Sequence, residues 1–193
     1  CIVTDMDQGD QAWLASNEVF WPALATKLLE IDDSATFLEA AIEFANHELH
    51  GTLGANIIIH PATIQQIGVE RFERLLLRLR YGTISVNAWT GLGFLLSPCP
   101  WGGFPGADIN HPQSGIGTVH NSFMLENTER TIVKAPWRPF PRGLFSLQFS
   151  LLPRPPWFIT NQRQHVLGKL LTEFQHQPSL IKLPKIFLNA LRG

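Results

Sequence analysis

The fold of this chain is decided around Tyr81-Gly82-Thr83-Ile84-Ser85-Val86-Asn87, where a glycine is followed by residues that favour a β-strand. Before it, residues 61–80 repeat apolar side chains at helical spacing, and residues 55–59 form a short β-branched run. Gly82 is placed to end the helix, and Pro61 ends the earlier strand because proline cannot donate to a ladder. Strand, helix and strand joined by short links predict an α/β domain with a layered, partly parallel sheet and flanking helices.

The first third of the chain adds further elements to this pattern. Residues 1–5 resemble a strand, and residues 23–31 are apolar enough for a buried strand. Asp33 and Ser34 can cap a helix that Gly51 would end. Because residues 55–59 are almost continuously apolar, we expect that strand to be covered on both faces. The inward face of the helix after Asp33 is predicted to hold Phe37, Leu38, Ala41, Phe44 and Ala45.

The later part of the chain loses this regularity. Residues 91–117 contain seven Gly and four Pro, which predicts a long functional loop without regular structure. Residues 135–156 carry six of the fourteen prolines, which is typical of an extended arm. Two short helices are predicted at residues 161–176 and 179–192. We therefore divide the chain into residues 1–134, an α/β portion, and residues 135–193, a proline-rich arm with C-terminal helices.

The composition limits the partners of the chain. Charged residues make up 16% and hydrophobic residues 45%, with six Trp and thirteen Phe, so we expect a homo-oligomer or contact with other protein. The net charge of −1, without a basic stripe, argues against nucleic acid. No apolar run approaches the ~20 residues of a membrane helix, and no secretion signal is evident. Two cysteines do not make a disulfide framework, and we expect a cytoplasmic protein.

Four motifs, in order along the chain, resemble the later part of the catalytic domain of NAD(P)-dependent aldehyde dehydrogenases. They are Glu18-Val19-Phe20-Trp21-Pro22, the Gly82–Asn87 stretch, Pro100-Trp101-Gly102-Gly103-Phe104 and Ser114-Gly115-Ile116-Gly117. Together they cover roughly the first two-thirds of the chain.

The resemblance implies a role for particular residues. Glu18 would bind the nicotinamide-ribose hydroxyls of NAD or NADP, and Phe20 would pack beside the nicotinamide. A tunnel for a small aldehyde would be lined by Trp89, Phe94 and Trp101; these rings alternatively fill a loop-covered core. The strand Arg130-Thr131-Ile132-Val133 resembles the one that pairs across the family's oligomer interface.

The catalytic groups of the family are not expected in this chain. The family's nucleophilic cysteine and glutamate base lie well upstream of its Glu-x-Phe-x-Pro motif, and only seventeen residues precede Glu18. No glycine-rich phosphate loop lies between a strand and a helix. We therefore expect the C-terminal portion of an oxidoreductase, inactive alone and unable to bind NAD or NADP tightly. The alternative is a stand-alone, non-catalytic module for assembly or partner binding.

Two other groups of residues invite a catalytic or metal-binding interpretation. Cys99 lies between prolines in the glycine-rich segment without an obvious activating base, and a small apolar filler is the simpler interpretation. His47 and His50 flank Glu48 at a spacing that differs from His-Glu-x-x-His and has no clear third ligand. We interpret them as a solvated helix end and predict no metal site.

Overall fold

The computed structural model describes residues 2–7, 12–20, 22–137 and 161–192. The chain consists of two compact units, Cys1–Trp137 and Arg138–Gly193. The first unit contains the following elements, in chain order: β1 (Ile2–Asp5), α1 (Trp13–Ser16), β2 (Ala23–Thr26), α2 (Ser34–His47), β3 (Gly54–Ile57), α3 (Pro61–Ile67), α4 (Val69–Arg78), β4 (Thr83–Val86), α5 (Gly91–Leu95), β5 (Trp101–Gly102), β6 (Thr118–His120) and β7 (Thr131–Lys134).

A parallel sheet of order β3-β4-β7 forms the centre of the first unit. All four residues of β4 are buried, because neighbouring strands cover both its edges and other elements cover both its faces. The strand at residues 83–86 and the partly parallel pairing are thus confirmed. Two smaller sheets accompany it: β1 and β2 pair in parallel, and β5 and β6 pair in antiparallel orientation.

The core lies between one face of the central sheet and the helices α2, α3 and α4. Ile84 and Val86 project from β4 into this core. The buried helical residues around them are Ala35, Leu38, Ile42, Ile67, Phe72, Leu75 and Leu76. The apolar residues at helical spacing in α4, which include Phe72, Leu75 and Leu76, are buried as their periodicity predicts. The inward face of α2 is rotated: Phe37 is exposed and Ile42 takes an inward position.

Helix boundaries differ from the sequence prediction in two places. The single helix expected at residues 61–80 is broken at Gly68, whose φ of 89° no α-helix accommodates, so α3 and α4 are separate. Helix α2 starts as predicted, with the Asp33 carboxylate accepting a hydrogen bond from the Thr36 amide at 2.8 Å. It ends at His47, before Gly51, which has a φ of 89° in the following turn.

Three predictions about strands and loops were also wrong. The strand expected at residues 23–31 spans only Ala23–Thr26, and Leu24 is 54% exposed because β2 pairs only with β1 among the described residues. Strand β3 lies at the edge of the sheet among the described residues, and its residues alternate between exposed and half-buried. One of its faces is therefore exposed, which contradicts the prediction that both are covered. The glycine-rich residues 91–117 contain the regular elements α5 and β5.

The described part of the second unit is helical. It contains α6 (Gln164–His176), a 3₁₀ turn at Leu180–Lys182 and α7 (Leu183–Leu191). Leu167, Leu170, Ile186 and Ala190 form a small core between α6 and α7. Both predicted helices are present with shifted starts. The arm predicted at residues 135–156 lies outside the described residues from position 138 onward.

Candidate functional site

Three aromatic rings from three elements meet beside the central sheet. Phe94 of α5 packs edge-on against Trp101 of β5, with ring centroids 5.7 Å apart and planes at 77°. Phe94 also contacts His120 of β6, at 5.2 Å and 57°. Trp101 and His120 are paired residues of the β5–β6 sheet, which fixes their separation. We call Phe94, Trp101 and His120 the aromatic cluster.

Glycines allow the elements that carry the aromatic cluster to approach the central sheet closely. A Cβ atom on Gly93 would lie 2.8 Å from Cγ2 of Thr83, so α5 packs directly against β4. A Cβ atom on Gly82 would lie 1.8 Å from the carbonyl oxygen of Gly102, so β5 crosses next to the start of β4. Any larger side chain at either position would push the aromatic cluster away from the sheet.

The sheet face toward α5 is polar. Thr83 and Ser85 are fully buried, and their hydroxyl groups have no hydrogen-bond partner among the described protein atoms. Thr131 donates its hydroxyl to the carbonyl oxygen of Pro100 at 2.8 Å, and Asn56 accepts the Thr90 amide at 3.0 Å. The chain is therefore hydrogen-bonded to the sheet both before and after α5.

His120 is the member of the aromatic cluster that the sequence analysis missed. Both imidazole nitrogens are buried and have no hydrogen-bond partner among the described protein atoms. A buried imidazole without a partner loses the hydrogen bonds it would make to water. Its position follows from the β5–β6 pairing, and no spacing in the sequence reveals a pairing of that kind.

Trp89, the other predicted tunnel residue, lies at the carboxyl end of β4. A Cβ atom on Gly91, the first residue of α5, would come within 2.2 Å of the Trp89 ring. Trp89 thus packs on the start of the helix that carries Phe94, with part of its ring exposed. Between β4 and Trp89, Asn87 has a φ of 57°, and its side chain exchanges two hydrogen bonds of 2.9 Å with the backbone of Ile59.

The two predicted cofactor-binding residues lie between α1 and β2. Asn17 ends α1 by donating its side-chain amide to the carbonyl oxygen of Trp13 at 2.8 Å. Phe20 is 89% exposed, and Glu18 is exposed with no hydrogen bond or ion pair among the described residues. Both side chains are open to a ligand. In the described part of the chain, no ring contact or hydrogen bond joins them to the aromatic cluster.

The serine of the Ser114-Gly115-Ile116-Gly117 motif has a structural position. The Ser114 hydroxyl oxygen accepts the Thr52 amide at 2.7 Å, and the Gln113 side chain accepts the Gly51 amide at 3.1 Å. The carbonyl oxygen of Thr52 accepts the Gly82 amide at 2.8 Å and the Phe104 amide at 3.1 Å. These bonds hold the glycine-rich segment against the turns that precede β3 and β4.

The remaining candidates contribute no second site. Cys99 is a half-buried free thiol whose amide donates to Leu96 in a turn. His47 lies 3.4 Å from the Glu43 carboxylate, one helical turn away. No group of three or more His, Cys, Asp or Glu side chains suited to a metal ion occurs in the ranges that the structure describes. Within the same ranges, no helix is both long enough and apolar enough to span a bilayer.

Comparison of the chain with protein-family models, curated proteins and solved structures found no match. The resemblance to aldehyde dehydrogenases therefore rests on the sequence motifs quoted above.

Proposed function

We propose that this chain provides the nicotinamide-ribose contact and an aromatic wall of the substrate tunnel in an aldehyde dehydrogenase-like oxidoreductase. Such an enzyme oxidises an aldehyde to a carboxylate with NAD or NADP. The observation that carries the proposal is the edge-to-face contact of Phe94 with Trp101, two residues assigned to the tunnel from sequence. The backbone next to these rings is held by the hydrogen bond from Thr131 to Pro100 and by the close approach of α5 to β4 at Gly93, as a rigid apolar wall requires.

The chemistry of Glu18 and Phe20 fits the nicotinamide end of the cofactor. A carboxylate can accept both hydroxyl protons of a ribose diol, and Glu18 has no protein partner in the described residues that would compete. The exposed Phe20 ring can pack against a planar nicotinamide and restrict its position. When bound, NAD or NADP supplies the hydride acceptor of the reaction.

We assign the aldehyde-oxidising chemistry to residues other than those described. Cys99 lies in a turn, and its thiol makes no hydrogen bond to a described side chain that could act as a base. Under this proposal the chain binds and orients the nicotinamide end of the cofactor and the aldehyde. The nucleophile, the base and the phosphate loop belong to the rest of the enzyme. The chain alone then oxidises no aldehyde.

The tunnel assignment is tested with the six tryptophan indole N–H resonances of the full chain. Benzaldehyde is titrated to millimolar concentration in a proton–nitrogen correlation experiment, and the variants Trp101→Phe and Trp89→Phe assign the resonances of those two residues. We expect the Trp101 and Trp89 resonances to shift in a saturable manner, because both rings are assigned to the wall. Benzyl alcohol, which has nearly the same shape and cannot react with lysine, serves as the control ligand and is expected to shift the same resonances.

A matched variant separates the tunnel from general apolar binding. Phe94→Ala removes the ring that Trp101 contacts and is expected to weaken the titration. Phe123→Ala removes a well-exposed ring outside the aromatic cluster and is expected to leave the titration unchanged. Equal shifts of all indole resonances, or an unchanged Phe94→Ala titration, would refute the tunnel assignment.

The β1–β2 sheet favours a second candidate, the assembly or partner-binding module. Parallel strands occur almost only in sheets whose faces are covered, and an isolated strand pair is marginally stable. Ile2 and Val3 are nevertheless 62% and 63% exposed in this parallel pair. Under this second candidate, we propose that a second copy of the chain covers this sheet. Association that persists while nicotinamide and aldehyde binding are absent would favour this second candidate.

A further inference from the structure

Two adjoining cavities lie at the amino ends of the central strands. Their volumes are about 380 and 260 Å³, and both are lined by Asn46, His47, Arg80 and Phe104. Their walls also include residues from the turns before β3, β4 and β7. Neither cavity is lined by the residues that we assign to the cofactor or to the aldehyde tunnel. They form a separate candidate site.

The smaller cavity has an excess of positive charge. Among its described lining residues, Arg78, Arg80 and Arg130 face a single carboxylate, that of Glu43. Glu43 is engaged by Arg78 at 2.6 Å, and the hydrogen bond from Arg78 is the main reason that the pKa of Glu43 lies below its ordinary value.

The other two arginines of this wall differ in how they are paired. Arg130 is paired with Glu129 at 2.9 Å. The Arg80 guanidinium has no ion pair or hydrogen bond among the described residues. Among the lining residues that the structure describes, Arg80 is therefore the one unpaired arginine.

The backbone around this cation is fixed. The Asn46 side chain accepts the Arg80 amide at 2.8 Å and donates to the carbonyl oxygen of Arg78 at 2.9 Å. Arg130 donates to the carbonyl oxygens of Leu77 and Leu79 at 2.6 and 2.8 Å. A ligand would therefore meet a largely preformed wall, which lowers the ordering cost of binding.

The larger cavity adds an apolar surface and neutral polar groups. Phe104, whose ring lies 4.8 Å from the Arg130 guanidinium carbon, lines it together with Leu49 and Pro105. Burial raises the pKa of Tyr81, so its hydroxyl stays protonated and donates to the carbonyl oxygen of Ala45 at 3.2 Å. A volume of about 380 Å³ lies at the small end of the range for small-molecule pockets.

We propose that these cavities bind a small organic carboxylate, with its head group on Arg80 and its apolar body against Phe104. A guanidinium presents two parallel N–H groups that match the two oxygens of a carboxylate. The positive charge of Arg80 matches one negative charge, and the Phe104 ring matches an apolar body. The site is distinct from the proposed nicotinamide and aldehyde contacts, so either assignment can fail without the other.

The test uses benzoate as the probe and the full chain. Chemical shifts of the protein are followed while benzoate is added, for the wild type, Arg80→Gln, Arg80→Lys and Arg74→Gln. Arg74 is an exposed arginine on α4 whose guanidinium lies 3.9 Å from Glu70 and lines neither cavity, so its variant removes the same charge elsewhere. We expect benzoate to bind about tenfold more weakly to Arg80→Gln than to the wild type. Arg80→Lys should show an intermediate loss, because lysine keeps the positive charge but lacks the two parallel N–H groups of the guanidinium. Arg74→Gln should bind benzoate like the wild type.

Several outcomes overturn the proposal. Equal binding by the wild type and Arg80→Gln would show that Arg80 is not the head-group ligand. If Arg80→Gln and Arg74→Gln weaken benzoate binding equally, benzoate responds only to the overall charge of the protein. If benzyl alcohol binds as tightly as benzoate, the site does not recognise a carboxylate. If inorganic phosphate binds as tightly as benzoate, the site does not recognise the apolar body of the ligand.

Discussion

Replacing Asn87 tests how the carboxyl ends of β3 and β4 are joined. Asn87 combines a left-handed φ of 57° with two side-chain hydrogen bonds to the backbone of Ile59, each of 2.9 Å. A net hydrogen bond contributes about 1 kcal/mol, so the pair contributes about 2 kcal/mol. Alanine tolerates the left-handed region less well than asparagine by about 1 kcal/mol. We therefore expect Asn87→Ala to lower the free energy of unfolding by about 3 kcal/mol.

Two variants separate the hydrogen bonds from the backbone strain. Asn87→Gly removes both bonds and fits the left-handed region, so we expect a loss of about 2 kcal/mol. Asn127 has a φ of 53° and no side-chain hydrogen bond among the described residues, so Asn127→Ala should lose only the strain contribution of about 1 kcal/mol.

The assay is urea unfolding of the full chain followed by tryptophan fluorescence. Five of the six tryptophans belong to the first unit, so the signal reports mainly on that unit. With an m-value of about 1.5 kcal/mol/M, the midpoint of Asn87→Ala should fall by about 2 M. A loss below about 0.5 kcal/mol, or one equal to that of Asn127→Ala, would refute the account of this junction.

The remaining predictions concern turnover, pH and association. The chain alone should form no NADH from a panel of aldehydes in an absorbance assay, and turnover that depends on Cys99 would contradict this. Because Arg78 lowers the pKa of Glu43, that carboxylate stabilises the fold above the ordinary glutamate range and loses this effect as pH falls through the lowered pKa. Glu43→Gln should therefore lower the urea midpoint at about pH 7, and this difference should shrink as the pH falls below the ordinary glutamate range; a pH-independent difference would refute the ion pair. In β7 the Thr131 amide donates to the residue before β4, so by alternation the Ile132 amide faces the outer edge. Ile132→Pro should reduce self-association in sedimentation more than Ile132→Ala does, and a monomeric wild type would refute an oligomer through this edge.

Features that depend on neighbouring residues could be predicted from the sequence. Gly82 and the β-favouring residues after it identify β4, and Asp33 identifies the start of α2 through a hydrogen bond three residues away. The spacing of Phe72 and Leu76 identifies the buried face of α4. Each of these features is determined by residues only a few positions apart, so the local sequence is sufficient to predict it.

Features that depend on distant partners could not be predicted. Apolar spacing continues through Gly68, since Ile67 and Phe72 are both buried, so the break between α3 and α4 has no periodic signal. An apolar run such as residues 23–31 does not reveal whether anything covers it, and Leu24 is in fact exposed. His120 enters the aromatic cluster through strand pairing. Within the described ranges Arg80 has no ion-pair partner, because Glu43 and Glu129 bind other arginines.

The central claim, that Glu18 and Phe20 hold the nicotinamide end of the cofactor, is tested most directly with nicotinamide mononucleotide. Nuclear Overhauser effects from its ring protons to Phe20 are measured at millimolar ligand in the wild type, in Glu18→Gln and in the control Glu30→Gln, an exposed glutamate beyond β2. We predict contacts to Phe20 in the wild type and in Glu30→Gln, and a clear loss in Glu18→Gln because glutamine offers the ribose diol one neutral acceptor oxygen in place of two carboxylate oxygens. Absence of any contact to Phe20, or contacts that Glu18→Gln leaves unchanged, would contradict the proposed function.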